Sequence, residues 1–378
     1  MCPGVFSVMK NPVFAADFET KLTLVEHAAR IAASLDDQML AAQVLLAGIE
    51  GKGSLSPAMR NLLDKIPAGG IMLFKYNLDT SKDEVKKLLS ETSGLVTGRA
   101  GISPFMAVDH EGGLVHRFGP GVERLPSALS FWETALREGF VAAIAGAKTL
   151  YRRSAVEIRE LGINMVLGPV VEILNEDNLA FLDTRSYGSD WAFTQIAASA
   201  FISSMEEAGI ACAVKHFPGN TAADPHSGAS VLEADRNTLD EMVRPFTGIF
   251  HSLNPQAVMI SHVMVPDLDS EKNASLSRAV IEDWLRGELG FKGIVIADDF
   301  SMAAVAGSGL DHTEAAVEAL NAGVDMIMTW PKDLAAVHTA IMDALKTGKL
   351  SRQRLLEAAG RIISGKLRFR IIEYDLQR

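Results

Sequence analysis

Apolar and polar positions along the 378-residue chain repeat one pattern: a short apolar run, a polar break and a longer amphipathic segment. The apolar runs are continuous rather than alternating, which is typical of strands that are buried on both faces. The eight runs are QVLLAGI from Gln43, GGIMLF from Gly69, FMAVDH from Phe105, NMVLGPV from Asn164, ACAVKHF from Ala211, AVMISHV from Ala257, GIVIADD from Gly293 and VDMIMTW from Val324.

Amphipathic segments between and before these runs predict helices, because their apolar residues recur at helical spacing. The clearest are 22–35, 136–161, 194–208, 239–253 and 279–288. Strand–helix alternation repeated eight times favours parallel strands with crossover helices, and hence a (β/α)8 TIM-type barrel of class α/β. An open doubly wound sheet is the alternative, but no dinucleotide-type glycine fingerprint follows the first strand.

The domain organisation follows from the absence of any linker rich in Pro, Gly or Ser. We expect a single barrel domain over 39–378, preceded by an N-terminal extension at 1–38 and finished by C-terminal helices. A barrel of this kind takes about 250 residues, so the surplus belongs to the extension, the loops and the terminal helices.

Composition and charge narrow the classes of partner. The chain has 36 basic and 47 acidic residues, a net charge of −11, and no basic stripe. Such a protein is repelled by phosphate backbones, so we expect no nucleic-acid partner. No apolar stretch approaches the roughly 18 residues that a membrane-spanning helix needs. We therefore expect a small-molecule partner. As a separate expectation, the chain is a monomer.

The two cysteines bear on the cellular compartment. Cys2 and Cys212 cannot form a disulfide framework, and Cys212 lies in an apolar run that predicts a small buried side chain. A cysteine at the extreme N-terminus is typical of a processed bacterial lipoprotein, yet Met1 precedes Cys2 and no apolar signal region is present. We expect a cytoplasmic protein, with lipid anchoring or export as the alternative if Cys2 is a processed residue.

Polar side chains cluster at the ends of four predicted strands, where barrel enzymes place their active sites. Because the four ends surround one mouth of the barrel, these side chains should converge. They are Asp109, His110, Glu111 and Arg117 after the third run, Lys215 and His216 in the fifth, Ser261 and His262 in the sixth, and Asp298 and Asp299 in the seventh.

Several chemistries are compatible with this set. A metal site is the weaker one, because Asp109, His110 and Glu111 alternate in direction along a strand and no HxH, HExxH or CxxC spacing occurs. Lys215 could form a Schiff base, or it could stay charged and donate to a polyol. Carboxylates combined with Arg, Lys and His donors suit sugar chemistry, in which a carboxylate attacks the anomeric carbon. That chemistry requires no metal and no organic cofactor.

Longer motifs lie between about Ala41 and Gly365. They are, in chain order, GGIMLFKYN, AVDHEGGLVHRF, LGPVVEILN, TRSYGSD, KHFPG, DPH, MISHVMVP, LSRAVIEDWLRGELGFKGIVIADDFSM and NAGVDMIM. In these motifs and their order the chain resembles glycoside hydrolase family 3 and, within it, the single-domain β-N-acetylglucosaminidases. The resemblance implies a retaining exo-β-N-acetylglucosaminidase that works by double displacement on peptidoglycan fragments or chitooligosaccharides, and hence a bacterial role in peptidoglycan turnover.

The resemblance assigns roles residue by residue. Asp298 matches the nucleophile, His226 the histidine general acid/base of this subfamily, and Asp224 its partner. Histidine titrates near 6.5 and so can both give and take a proton around neutrality, while a neighbouring carboxylate orients its ring. The residues that match those holding the terminal N-acetylglucosamine are Asp109, Arg117, Arg185, Lys215 and His216.

The chain also departs from the family pattern. Usual members carry His-Gly and an acid after KHFPG, whereas the segment Asn220–His226 is shorter here; Glu172 stands in place of aspartate, and Leu114 in place of arginine. The shorter loop bears on how the histidine reaches the sugar. Two alternatives stay open: a β-N-acetylglucosaminide phosphorylase, since a histidine tolerates an attacking phosphate better than a carboxylate does, and a catalytically idle sugar-binding barrel.

Overall fold

A closed barrel of eight parallel strands dominates the computed structural model, which describes residues 24–223, 230–300 and 309–373. All eight apolar runs form its strands, so the predicted (β/α)8 barrel is confirmed. The strands are β1 (Leu45–Gly48), β2 (Gly70–Leu73), β3 (Phe105–Asp109), β4 (Met165–Val170), β5 (Ala211–Phe217), β6 (Ala257–Ile260), β7 (Met264–Val265), β8 (Asp269–Asn273), β9 (Ile294–Ala297) and β10 (Met326–Thr329), of which β7 and β8 form a separate hairpin.

Around the barrel the strands follow the order β1-β10-β9-β6-β5-β4-β3-β2. Closure is made by β1 and β10, whose residues Leu45 and Ile327 are paired in parallel register. Every residue of β1, β2, β4, β5, β6, β9 and β10 is buried, because one face lies inside the barrel and the other packs against helices. This two-sided burial explains why the strands are continuous apolar runs.

The helices surround this barrel and connect its strands. They are α1 (24–34), α2 (Asp37–Gln43), α3 (Pro57–Lys65), α4 (Lys75–Leu78), α5 (Lys82–Ala100), α6 (Ala128–Glu138), α7 (Phe140–Glu160), α8 (Leu179–Leu182), α9 (Trp191–Glu207), α10 (Arg236–Met242), α11 (Arg244–Ser252), a π-helix (Ala279–Glu288), α12 (His312–Ala322), α13 (Leu334–Thr347) and α14 (Arg352–Arg368), with 3-10 turns at Asp183–Arg185 and Ala274–Leu276.

Two predicted helices are each divided in the structure. The segment 136–161 breaks at Gly139, whose φ of +87° is a left-handed conformation that glycine adopts without a Cβ penalty. The segment 239–253 breaks at Val243, where α11 starts with Pro245 in its first turn. Proline lacks the N–H that a continuous helix needs, so it favours a helix start. The amphipathic period continued through both breaks, which is why each was predicted as one helix.

The β7–β8 hairpin was not predicted, because its second strand has the polar sequence DSEKN. It leaves the mouth of the barrel after β6 and brings Ser275 back to His262. On the opposite side, α1 buries Ala28 and Ala32 against the core, so the described part of the extension packs on the barrel. Within the described residues, no helix has the length and apolar character needed to cross a bilayer.

Candidate active site at the barrel mouth

Strand β3 ends in two acids that meet the lysine of β5. Asp109 and Glu111 are two residues apart, so both can face the inside of the barrel. Lys215 Nζ donates to Asp109 Oδ1 at 2.8 Å and lies 2.7 Å from Glu111 Oε1. The Lys215 side chain is only 3% exposed, so it sits at the bottom of the mouth and bridges the two carboxylates.

Two arginines complete this group. Arg185 ends the 3-10 turn after α8 and grips Glu111 with two hydrogen bonds, Nε to Oε2 at 2.8 Å and Nη2 to Oε1 at 3.0 Å. Such a bidentate pair fixes orientation as well as charge. Arg117 Nη2 donates to Asp109 Oδ2 at 3.3 Å. We call Asp109, Glu111, Arg117, Arg185 and Lys215 the charged cluster.

Burial and ion pairing oppose each other in this cluster. Burial alone would raise the pKa of Asp109 and Glu111, but Lys215 and the neighbouring arginines outweigh it and hold both values below the ordinary range. For Lys215 the signs are reversed: burial alone would lower its pKa, but the negative charges of Asp109 and Glu111 raise it above its ordinary value. A lysine held as an ammonium group cannot act as an amine nucleophile, so the geometry favours a charged donor over a Schiff base.

His216 is oriented by Glu172, an acid two residues beyond the end of the neighbouring strand β4. Its Nδ1 lies 2.6 Å from Glu172 Oε1, and its backbone N–H donates to the same oxygen at 3.2 Å. Asn220 Nδ2 donates to both Glu172 oxygens, at 3.1 and 3.2 Å. With Nδ1 held by this buried carboxyl group, Nε2 lies 3.5 Å from Arg185 Nη2, on the side of the charged cluster.

His110 faces the other way. Its Nε2 is 2.7 Å from Ser154 Oγ on α7, and the side chain is fully buried between strand and helix. Burial and then the nearby His116 lower the pKa of His110 to about 4. His110 is therefore a neutral packing group outside the mouth, as the alternation along β3 requires. Within the described ranges, no three His, Cys, Asp or Glu side chains are grouped as ligands for a metal ion.

Asp298 follows the last residue of β9 and lies at the same mouth. Its backbone N–H donates to Ile260 O at 3.2 Å, which continues the pairing with β6. Its Oδ1 accepts the backbone N–H of Asp299 at 2.9 Å. Asp299 has a different partner, because its Oδ2 accepts Trp330 Nε1 at 2.6 Å. The two adjacent acids thus differ in environment, since a backbone N–H holds Asp298 and an indole N–H holds Asp299.

His262 supports the loop that carries these acids. Its Nε2 lies 3.1 Å from the Asp299 carbonyl oxygen and its Nδ1 lies 2.7 Å from Ser275 Oγ. Burial lowers the pKa of His262, and the nearby Asp298 offsets this only in part. A neutral ring therefore joins β6, the 3-10 turn at Ala274–Leu276 and the segment after β9.

The predicted dyad, Asp224 and His226, lies outside the described residues, and both roles stay predictions. The described residues on either side of it are joined. Thr221 Oγ1 and Ser230 Oγ are 2.5 Å apart, and Ser261 Oγ donates to Gly219 O at 3.0 Å. These contacts tie the two ends of the segment to β5 and β6 at the mouth.

With this geometry in place, the family can be assigned. The sequence pattern that defines the "Glycosyl hydrolase family 3 N terminal domain" matches residues 36–364, which is most of the chain. The chain belongs to glycosyl hydrolase family 3. The family is one of glycoside hydrolases, whose substrates are carbohydrates.

Individual family 3 proteins are similar over most of the chain. A "Beta-hexosaminidase" of Methylococcus capsulatus is 33% identical over 315 residues, which are 81% of this chain and 89% of that protein. A family 3 β-N-acetylglucosaminidase structure from Paenibacillus sp. str. FPU-7 superimposes with a TM-score of 0.81 at 29% identity, covering 91% of this chain and 65% of that one. "Beta-hexosaminidase A" of Pseudoalteromonas piscicida is 26% identical and longer, and the chain spans 55% of its length.

The family 3 barrel brings five of the predicted sugar-binding residues together: Asp109, Arg117, Arg185, Lys215 and His216. Sequence reasoning did not foresee that Glu111 holds Arg185 and Lys215, or that Glu172 holds His216. The contacts of Glu111 could have been expected, because a spacing of two residues puts Glu111 on the same side of the chain as Asp109. The contact of Glu172 with His216 depends on the register of β4 against β5, which no local pattern reveals.

Proposed function

We propose that this family 3 protein is a retaining exo-β-N-acetylglucosaminidase that removes terminal β-linked N-acetylglucosamine. The placement of Asp298 supports this best. It is a carboxylate at the end of β9, held by the Asp299 N–H, at the same mouth as a charged cluster rich in hydrogen-bond donors. A retaining enzyme needs such a carboxylate beside a pocket that binds sugar hydroxyls.

In the first step, Asp298 attacks the anomeric carbon. Because the Asp299 N–H holds Oδ1, Oδ2 is the attacking oxygen. The bond from the anomeric carbon to the leaving oxygen breaks, its electron pair stays on that oxygen, and His226 supplies the proton. In the second step, His226 takes a proton from water, which displaces Asp298 and restores the β configuration. Asp224 orients the histidine ring.

Substrate binding falls to the charged cluster and His216. Asp109, Arg117 and Arg185 are the more exposed members, whereas Glu111 and Lys215 lie deeper. We assign hydroxyl binding to the first three, and to His216 and Lys215 at the floor of the mouth. Lys215 uses two of its N–H bonds on Asp109 and Glu111, so the third is the one that can turn to a sugar hydroxyl.

An aryl β-N-acetylglucosaminide tests this proposal directly. We expect release of the phenol and of N-acetylglucosamine at a rate that added phosphate does not change. Formation of N-acetylglucosamine 1-phosphate would instead identify the phosphorylase. No turnover, combined with measurable binding of N-acetylglucosamine by calorimetry, would identify the idle sugar-binding barrel.

The natural substrate, assembly and compartment are part of the same proposal. We infer a monomeric cytoplasmic enzyme that acts on peptidoglycan fragments or chitooligosaccharides, with lipid anchoring as the alternative through Cys2. The kcat/KM values for a disaccharide fragment of peptidoglycan and for a chitin disaccharide identify the preferred class. Sedimentation of the full chain measures the assembly, and fractionation of the producing cells locates it.

A further inference from the structure

Three stacked aromatic rings lie at the mouth, on the part of the rim that the charged cluster does not use. Phe74 is the first residue after β2 and Trp330 the first after β10. Their ring centroids are 4.5 Å apart and their planes differ by only 5°. Phe74 also stacks with Tyr76, at 5.6 Å and 18°. We call these three rings the aromatic platform.

The end of β1 explains how rings from β2 and β10 can meet. In the barrel order β1 lies between these two strands, and its last residue is Gly48. A Cβ at Gly48 would come within 3.0 Å of Phe74 Cε2 and of Pro331 Cδ. Because glycine leaves this space open, the rings close over the end of β1.

The aromatic platform is linked to the proposed nucleophile through two hydrogen bonds. Trp330 Nε1 donates to Asp299 Oδ2 at 2.6 Å, and the Asp299 N–H donates to Asp298 Oδ1 at 2.9 Å. Around the rim, Asp298 therefore stands between β6 on one side and the platform on the other. Next to Asp298 on that side of the rim, the platform is the feature that β10, β1 and β2 provide.

The rings are held firmly and one of them is open to solvent. Tyr76 is 44% exposed, and its hydroxyl donates to Ile49 O at 3.1 Å. Buried Asn77 fixes the short helix that carries Tyr76, since its Nδ2 donates to Ile49 O at 3.0 Å and to Gly51 O at 2.9 Å. A rigid exposed ring loses little entropy when a ligand binds to it.

We propose that the aromatic platform binds the second sugar of a β-linked oligosaccharide, the unit on the leaving side of the scissile bond. The proposal rests on the proposed function, because it needs the terminal sugar between the charged cluster and Asp298. The faces of a pyranose ring expose C–H bonds, which pack against the electron-rich face of an aromatic ring. Hydroxyl groups find their partners in the charged cluster, whereas the platform offers an apolar face.

Two substrates with the same terminal sugar separate this role from ordinary packing. The leaving group of the chitin disaccharide is a sugar, whereas β-N-acetylglucosaminyl fluoride releases a fluoride ion and has no second sugar. For Tyr76→Ala, we expect the ratio of kcat/KM for the disaccharide to kcat/KM for the fluoride to fall about tenfold, mainly through KM, which corresponds to about 1.4 kcal/mol. Tyr76→Phe keeps the ring and should keep the ratio.

An unchanged ratio in Tyr76→Ala, or the same ratio loss in Tyr76→Phe, would overturn the platform. Turnover of neither substrate by the wild type would instead overturn the proposed function. Binding then still tests the platform, because calorimetry compares the disaccharide with N-acetylglucosamine. A disaccharide advantage that Tyr76→Ala removes supports the platform, and an advantage that it retains, or none in the wild type, contradicts it.

Discussion

The charged cluster at the mouth has a counterpart at the opposite end of the barrel. There the carboxylate of Asp325, the residue before β10, accepts hydrogen bonds from three arginines. The donors are Arg286 Nη2 at 2.6 Å and Arg354 Nη2 and Arg361 Nη1 at 2.9 Å each. The backbone N–H of Val295 donates to the same carboxylate at 3.0 Å. We call Asp325 and its three arginines the basal cluster. Its arginines come from the π-helix and α14, so it joins the helical layer to the strands.

The two clusters differ in what can reach them. Asp325 is fully buried, Arg286 and Arg354 also donate to backbone carbonyls, and of the three arginines only Arg361, at 29%, is as exposed as a residue of the mouth. At the mouth, the side chains of Asp109 and Arg117 are 18% and 33% exposed. Burial and ion pairing therefore do not by themselves mark an active site in this barrel. Partial exposure at the carboxyl ends of the strands does, in keeping with the division between the functional and the stabilising face of such barrels.

Removal of the predicted acid/base should have the strongest effect, on catalysis rather than on stability. His226→Ala should slow aryl β-N-acetylglucosaminides with poor leaving groups by several orders of magnitude, and those with good leaving groups far less, because a good leaving group needs no proton. Azide should partly restore turnover of the activated substrates. A series of graded leaving-group pKa measures this, and Asp224→Ala should show a milder slope. A uniform loss across the series would make His226 a binding or structural residue.

At the base, the expected effect is on stability. Asp325→Ala leaves buried Arg286 and the partly buried Arg354 and Arg361 without their shared acid, so the free energy of unfolding should fall by about 3–5 kcal/mol. Chemical denaturation measures this, while kcat/KM per folded molecule should stay unchanged. Asp343→Ala, at an exposed pair with Lys346, is the matched control and should change stability by less than about 1 kcal/mol. A stable Asp325→Ala protein with impaired catalysis would reverse the comparison.

A smaller effect is expected from one donor at the mouth. Arg117→Ala should cost about 1.5–3 kcal/mol of transition-state stabilisation, because a charged donor to a neutral sugar is lost. The loss is measured as the ratio of the wild-type kcat/KM to that of the variant. Its partly exposed position predicts little change in the melting temperature. Arg152→Ala, at an exposed pair with Glu207, is the control and should leave both quantities unchanged. Wild-type kcat/KM in Arg117→Ala would remove this residue from the pocket.

The smallest effect concerns Lys366, a fully buried amine near the base. Its Nζ donates to Gln43 Oε1 at 2.9 Å, and burial lowers its pKa to about 7 from an ordinary 10.5. Between these values the unfolded chain binds more protons, so stability should rise with pH from about 7 to 10. Lys366→Met should remove about 1 kcal/mol of this rise between pH 7 and 8.

Lys346→Met, at an exposed position, is the control for Lys366→Met and should keep the wild-type dependence of unfolding free energy on pH. The readout is the difference in unfolding free energy between the two pH values. A constant cost from the altered contact with Gln43 cancels in that difference. The same slope in wild type and Lys366→Met would show that this amine stays protonated in the folded protein.

Much of the fold was predictable because it depends on local burial. Each of the eight strands is a continuous apolar run, and the polar residues that end them mark the mouth. The breaks at Gly139 and Val243 were missed because helical periodicity runs through them. The hairpin β7–β8 was missed because its exposed second strand has no apolar pattern.

The candidate site was predictable only in part. Strand ends and family motifs indicated Asp109, Lys215 and Asp298, whose roles stay predictions. The contacts of Glu172 with His216, and of Phe74 with Trp330, join residues that are distant along the chain. Such pairs depend on which strands are neighbours and on their register. The chain order of the motifs does not contain that information.

Asp298 is proposed to form a covalent bond to the sugar, and trapping of that intermediate shows which residue carries it. A 2-deoxy-2-fluoro sugar with a good leaving group should inactivate the wild type and add one sugar to the protein, because the fluorine slows both steps and the good leaving group speeds only the first. Peptide mass spectrometry should locate the label on Asp298. A label on Asp299 or Glu111, or inactivation without any covalent sugar, would contradict the account.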